Sequence, residues 1–403
     1  MEESIYWRKE EVKVGILTYH RSINYGAVVQ AFALSQRLKE LENVEVEIID
    51  YMSARMDRYY KLFTVYRGKN GFFRVLDRIS MYKAFMEGMK YLPLSKDRLV
   101  SDDINSFFKY IDGKYDAIVV GSDAVWNYEK RGIPNPYFLP GDMNVHRVSY
   151  AASCNGIKYC NLDSSKRVII GECLRKFEYL GVRDCLTERV VNESLTVRRT
   201  VHNCDPTFLL DFDKDGLNQE FVQSLIYKLQ KKYNWDTSKK HIGLMLSNLN
   251  GDIARVLVKR LKEKYKDEYE IVALYSYCKD ADIPYIADLT PLEWSRIFSL
   301  FDITFSKYFH GTLLSIINGT PVISLSAEEE MDNIPAKVED VLTRLDLMEF
   351  YYPAKNATDI EWDSFMEAID SLIKNPPIEK MRIAVEQEKE SAEDFFKYIK
   401  TIR

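Results

Sequence analysis

Lys307 and His310 stand just ahead of Gly311-Thr312, in a polar turn between an apolar strand, Ile303–Phe305, and an apolar helix, Leu313–Asn318. A helix start leaves its first N–H groups without partners and is the positive end of the helix dipole, so it attracts anions. A fixed cation and an imidazole that titrates near neutrality suit the same place. The expected chemistry is capture of a phosphate or carboxylate through Lys307 and the N–H groups of Gly311 and Thr312, with His310 moving a proton. The plainer alternative is an ordinary loop whose histidine is packed.

Three further turns carry chemistry-bearing residues. Gly121-Ser122-Asp123 follows the apolar run Tyr115–Val120, and the end of a parallel strand is where open α/β sheets hold ligands. Asp123 is a candidate general base or hydroxyl acceptor, or else it caps the next helix. The turn His20–Gly26 follows the strand-like Val12–Tyr19. Within it, Asn24 and Gly26 either meet a ligand or serve as a helix cap and a backbone joint. In Val182-Arg183-Asp184, Arg183 has the planar fork that grips a carboxylate or phosphate in two places, unless it pairs with Asp184 or Glu188. Asn24 and Ser122 would orient hydroxyls across from the cations.

The elements that position these turns alternate. Strand Val12–Tyr19, helix Ala27–Leu41 and strand Val44–Asp50 form a βαβ opening without the G-x-G-x-x-G of dinucleotide binders. From about residue 55 to 110 the spacing predicts a helical insertion rich in Arg, Lys, Tyr and Phe, either a basic cover on the core or a face for an anionic membrane surface. Strands Tyr115–Val120 and Arg147–Ser153 and helical stretches over 164–180 and to about Glu193 complete a first domain, 1–206. A second, 207–403, repeats the alternation, with strands His241–Leu246 and Glu270–Tyr277, helices Leu217–Tyr233 and Ile253–Tyr265, a capping box at Thr290/Glu293, and a charged helical tail. The reading is α/β, two Rossmann-like domains facing a cleft.

Composition narrows the classes. The chain has 403 residues, 46% hydrophobic and 29% charged, with net charge -5, so nothing global points to nucleic acid. No run reaches the ~18 apolar residues of a membrane span, and the start lacks a basic-then-apolar signal sequence. The six Cys have neither metal-ligand nor C-x-x-C spacing, so no metal, no disulfide framework and a cytoplasmic setting are expected, peripheral at the inner membrane face if the insertion touches lipid.

Gly15–Gln30 (GILTYHRSINYGAVVQ) resembles the opening of the polysaccharide pyruvyltransferase family. Gly121–Asn127 (GSDAVWN), Val148–Ser153 (VSYAAS), Val182-Arg183-Asp184, Asp205-Pro206-Thr207 and Phe309–Thr312 (FHGT) before Gly319-Thr320-Pro321 follow in the family's order. The resemblance implies a GT-B-like frame. It also implies transfer of a pyruvyl group from phosphoenolpyruvate, as co-substrate and with no cofactor, to two hydroxyls of a sugar. The product is a cyclic ketal on a precursor of a bacterial capsule or exopolysaccharide, lipid-linked or nucleotide-linked, and phosphate is released. In this scheme His310 is the acid, Arg183 and Lys307 clamp the anion and Asp123 is the base. The family often has Arg two positions before the His; Tyr308 stands there, beside Lys307. Two other classes fit the frame: a glycosyltransferase using a nucleotide sugar, and a non-catalytic partner in capsule assembly.

Overall fold

The computed structural model describes residues 11–61, 75–246, 251–265, 268–275, 277, 283–327 and 334–402. Part of the predicted insertion, including Phe63, Tyr66, Arg67, Lys69, Phe72 and Phe73, lies outside these residues, as do Cys278 and the first ten positions.

In the first lobe β1 (Val12–Leu17) leads into α1 (Tyr25–Lys39), β2 (Val44–Ile48) and β3 (Tyr51–Met52). Three helices follow, α2 (Ala54–Lys61), α3 (Val75–Gly88) and α4 (Ile104–Ile111), with β4 (Leu99–Val100) pairing β3. The lobe continues through β5 (Ala117–Val120), α5 (Tyr128–Arg131), β6 (His146–Ala152), α6 (Ser164–Leu174), β7 (Tyr179–Val182), α7 (Cys185–Leu195) and β8 (Thr200–His202). Its sheet is wholly parallel, in the order β2-β1-β5-β6-β7-β8. The stretch 164–180, read as one helix, divides instead: α6 stops at Leu174 and Tyr179–Val182 is a buried strand.

The second lobe comprises α8 (Gln219–Tyr233), β9 (Lys240–Met245), α9 (Gly251–Tyr265), β10 (Tyr269–Leu274), β11 (Tyr285–Ile286), α10 (Pro291–Ile297), β12 (Ile303–Ser306), α11 (Phe309–Ile317), β13 (Val322–Ser324) and α12 (Lys337–Arg344). Its parallel sheet runs β11-β10-β9-β12-β13. The capping box at Thr290 and Glu293 is formed, and it starts α10. The chain ends with α13 (Trp362–Lys374), α14 (Ile378–Glu390) and α15 (Glu393–Ile399). This tail returns to the first lobe: Phe395 is fully buried, its ring 4.7 Å from that of Tyr150 and 5.6 Å from that of Tyr179.

Both strand orders reverse direction once, between β1 and β5 in the first sheet and between β9 and β12 in the second. A crevice opens at such a switch point, because the connections leave to opposite sides. α1 lies between the lobes and is buried on nearly every side, Gln30 and Ser35 included. Tyr25 at its start meets Trp294 of α10 edge-on, ring centroids 5.9 Å apart.

Candidate active site

Each predicted site residue sits just past the carboxyl end of a strand. Asn24 follows β1, Ser122 and Asp123 follow β5, Arg183 follows β7, and Lys307 and His310 follow β12. Asn24 is the N-cap of α1 and accepts from the Gly26 N–H at 3.0 Å. The turn before it is anchored by Asp50, which accepts from both nitrogens of the Arg21 fork and lies 3.2 Å from His20 Nε2. Thr18 donates its hydroxyl to the Ser122 carbonyl at 2.9 Å, tying the β5 turn to the end of β1.

The lobes meet at Gly26. A side chain there would overlap the imidazole of His310, with Nδ1 only 2.2 Å from the position of a Cβ. Glycine is what lets the ring of the second lobe lie on the first turn of α1. On its far side His310 Nε2 is 3.6 Å from Asp205 Oδ2, within ion-pair range and too long for a hydrogen bond. The ring is partly exposed, with 12% of its side chain open to solvent.

Asp205 joins the cluster together. One oxygen caps the turn Pro206–Leu209, accepting from the Thr207 N–H at 3.0 Å and hydroxyl at 2.8 Å. The other accepts from Arg183 Nη1 at 2.6 Å. Burial works against its charge, but the neighbouring His310 and Arg183 more than offset it and hold the carboxyl well below the usual range. Arg183 also donates to Gln30 Oε1 at 3.2 Å, reaches within 3.7 Å of Asp123 and lies over the ring of Phe309 at 5.2 Å. The expected alternative pairing with Asp184 or Glu188 is not made: Asp184 caps α7 through Thr187.

Several assignments change in detail. Ser122 is buried and its hydroxyl donates to Gln30, bracing that amide. Asp123 caps no helix. It accepts from the Ala124 N–H at 2.7 Å, while Asn127 caps α5. Since α11 begins at Phe309, Thr312 donates its N–H to the Tyr308 carbonyl at 3.0 Å. The amides that the helix start leaves without a helical partner are therefore those of Phe309, His310 and Gly311. Gly311 sits against Ser306, whose Oγ would be 2.5 Å from a Cβ. Lys307 follows β12, and its N–H donates to the Met245 carbonyl at 3.1 Å. Gln30 and Asp205 are the two members of the cluster that sequence reasoning passed over. Asp205 was in view only within the motif Asp205-Pro206-Thr207 at the domain boundary, and Gln30 only as the last residue of the stretch Gly15–Gln30.

Two polar atoms of this cluster, Gln30 Nε2 and His310 Nε2, are buried without a hydrogen-bond partner. Such atoms are rare, and here they border a cation held between carboxylates at the meeting point of two switch-point crevices. A family model for polysaccharide pyruvyl transferase matches residues 24–329, from the cap of α1 to beyond β13. The chain belongs to the polysaccharide pyruvyl transferase family. All the predicted site residues lie inside the match, which makes the protein a transferase of polysaccharide metabolism. No curated protein matches the chain in sequence.

Solved structures show the same frame. A glycosyltransferase from Rickettsia africae superimposes with a TM-score of 0.53 at 14% identity, covering 98% of this chain and 100% of the other. A Listeria monocytogenes protein described as a UDP-N-acetylglucosamine 2-epimerase gives 0.55 at 10% identity over 96% and 97%. The UDP-GlcNAc 2-epimerase of Methanocaldococcus jannaschii gives 0.51 at 11% over 91% and 94%. At these identities the likeness is one of fold, which is GT-B-like. Among the described residues no helix is long and apolar enough to cross a membrane.

Proposed function

We propose that this pyruvyl transferase takes phosphoenolpyruvate as donor and builds a cyclic ketal on two hydroxyls of a sugar in a surface-polysaccharide precursor. The observation that carries the reading is the Asp205–Arg183–His310 cluster at the start of α11, with Asp123 within 3.7 Å of Arg183. Arg183 and the amides of Phe309, His310 and Gly311 hold the donor's carboxylate and phosphate, Lys307 adding charge beside them. His310, in its protonated form, gives a proton to the methylene carbon, which becomes the methyl group. Positive charge then develops at the adjacent carbon. A sugar hydroxyl attacks that carbon and passes its proton to Asp123. The C–O bond to phosphate breaks, phosphate leaving with the proton that Asp123 took up, and the second hydroxyl closes the ring by attacking the same carbon and giving its proton to His310.

The experiment is acceptor-dependent phosphate release from phosphoenolpyruvate by the purified protein, run beside thermal stabilisation by the donor and by UDP. Stabilisation by phosphoenolpyruvate and phosphate release only with acceptor are expected. Stabilisation by UDP alone, with no phosphate released, overturns the reading in favour of a nucleotide-sugar glycosyltransferase.

A further inference from the structure

The turn that carries Arg183 is held by a helix of the second lobe. The Arg183 carbonyl accepts from Arg344 Nη2 of α12 at 3.4 Å. Two positions on, the Cys185 thiol donates to Asp340 Oδ1 of the same helix at 2.9 Å. Lys337, Asp340 and Arg344 follow one another at intervals of three and four residues, which puts them on one face of α12. At the start of that face the Lys337 ammonium lies 5.9 Å from the centre of the Phe309 ring, and the Arg183 guanidinium lies 5.2 Å from the same ring. One face of α12 thus meets the Arg183 turn at its main chain, at the start of α7 and at the ring beside its side chain.

Arg344 is itself fixed. Its Nη1 donates to Asp340 Oδ2 at 2.6 Å, and its Nη2 also donates to Glu388 Oε1 of α14 at 3.5 Å. The same Glu388 oxygen lies 3.1 Å from His202 Nε2, at the end of β8. Asp340 and Glu388 are only 5% and 8% exposed, so the cation between them is needed. A planar fork serves two carboxylates and a carbonyl at once, which one ammonium cannot do. The Arg183 fork, shared among Asp205, Gln30 and Asp123, depends in turn on where its main chain stands.

We propose that Arg344 is a positioning residue: across the lobe junction it holds the main chain from which the Arg183 fork reaches, so that the fork grips an anion only while α12 is docked on the first lobe. The proposal rests on the pyruvyl-transfer reading for the identity of that anion as phosphoenolpyruvate. The positioning itself applies to any phosphate that Arg183 takes.

The test compares the full chain with Arg344→Gln, Arg344→Lys, Arg183→Lys and the double variant Arg183→Lys/Arg344→Gln. Phosphoenolpyruvate and inorganic phosphate are titrated into each by calorimetry, with turnover and urea melts on the same samples. Arg344→Gln should raise the Kd and KM for phosphoenolpyruvate about fivefold, the scale of one lost hydrogen bond, with kcat changed by no more than about twofold. Arg344→Lys should recover the urea midpoint, because it keeps a charge between Asp340 and Glu388, and should not recover the affinity. Affinity and stability restored together by lysine would mark a merely structural arginine and overturn the proposal. Losses that add in the double variant would overturn it too, since a residue acting through Arg183 has little left to disturb once the fork is gone. If the glutamine variant does not fold, the lysine variant decides alone by the same split.

The contact is also read without any donor. Partial burial and the bond to Asp340 push the Cys185 thiol up to about 12, and the thiolate is the reactive form. Asp340→Asn should therefore speed alkylation of Cys185 by iodoacetamide, measured by mass spectrometry against Cys160, which is likewise open to solvent. An unchanged rate shows that α12 is not docked there and overturns the proposal. Wild type that binds inorganic phosphate in an Arg344-dependent way, and does not bind phosphoenolpyruvate, sinks the pyruvyl-transfer reading and leaves the positioning standing. Binding of neither by wild type overturns both.

Discussion

The imidazole of His310 occupies the space in which a side chain at position 26 would stand. The imidazole that one lobe presents is thus located by the absence of an atom in the other. Gly26→Ala should displace the ring or part the lobes at this point, since overpacking of this kind costs about 1–3 kcal/mol. Turnover is expected to fall nearly as far as in His310→Ala, with the midpoint of denaturant unfolding only modestly lowered. Steady-state phosphate release and urea melts on the same samples check this. An alanine variant with wild-type turnover would show that the ring has no fixed place in the reaction.

His310→Ala itself should fold normally, because the ring makes no hydrogen bond through Nε2. Its turnover should drop ~100-fold or more, the scale of a lost general acid. Donor affinity, measured separately by thermal shift, should change far less than the rate.

Arg183 answers to Asp205, Gln30 and Asp123 at once. Lysine keeps the charge but cannot serve several acceptors with a planar fork. Arg183→Lys is expected to stay folded and lose mainly donor affinity, seen as a raised KM for phosphoenolpyruvate. Arg183→Ala leaves Asp205 buried without its cation, and loss of one partner from a buried pair costs about 3–5 kcal/mol. Equal stability of the two variants would contradict the pairing.

The acid limb of stability follows from Asp205. Its carboxyl is held below the ordinary value in the folded protein despite burial, so the unfolded chain takes up its proton first as pH falls. The contribution is complete above the unfolded value of about 3.9 and is lost progressively below it, toward the lower folded value. Asp205→Asn should flatten that limb and lower stability at neutral pH, where the charged form is the one that serves Arg183. Urea melts from neutral pH to below about 4 read both effects.

Much of this arrangement was legible because it depends on local signals. The strand–turn–helix pattern placed Asn24, Asp123 and His310 at the ends of strands, and the capping box at Thr290 is a four-residue motif. What escaped is non-local. Arg183 reaches Gln30 from 153 positions away, and no periodicity in α1 marks that one polar residue as paired. Tyr179 and Leu180, the first half of the strand Tyr179–Val182, were absorbed into a helix because four apolar-rich residues carry no period of their own. β11 has only two residues and is a strand by virtue of its neighbour β10.

The tail reaches the site from behind. Asn203 donates its amide to the Ser391 carbonyl at 2.9 Å, and the Cys204 N–H donates to the Ser391 hydroxyl at 2.7 Å. These two residues lead directly into Asp205, so the junction of α14 and α15 sets where that carboxylate stands. Ser391→Ala should leave the Cys204 N–H without its partner, at a cost of about 1–3 kcal/mol. Phe395→Ala, which empties the space between Tyr150 and Tyr179, should cost more, about 3–5 kcal/mol. If the tail only adds stability, both variants will keep wild-type kcat at temperatures where they are folded. If it positions Asp205, as the hydrogen bonds to Ser391 require, Ser391→Ala will lose the larger share of kcat although it loses the smaller share of stability. Measuring kcat and unfolding free energy on the pair separates the two.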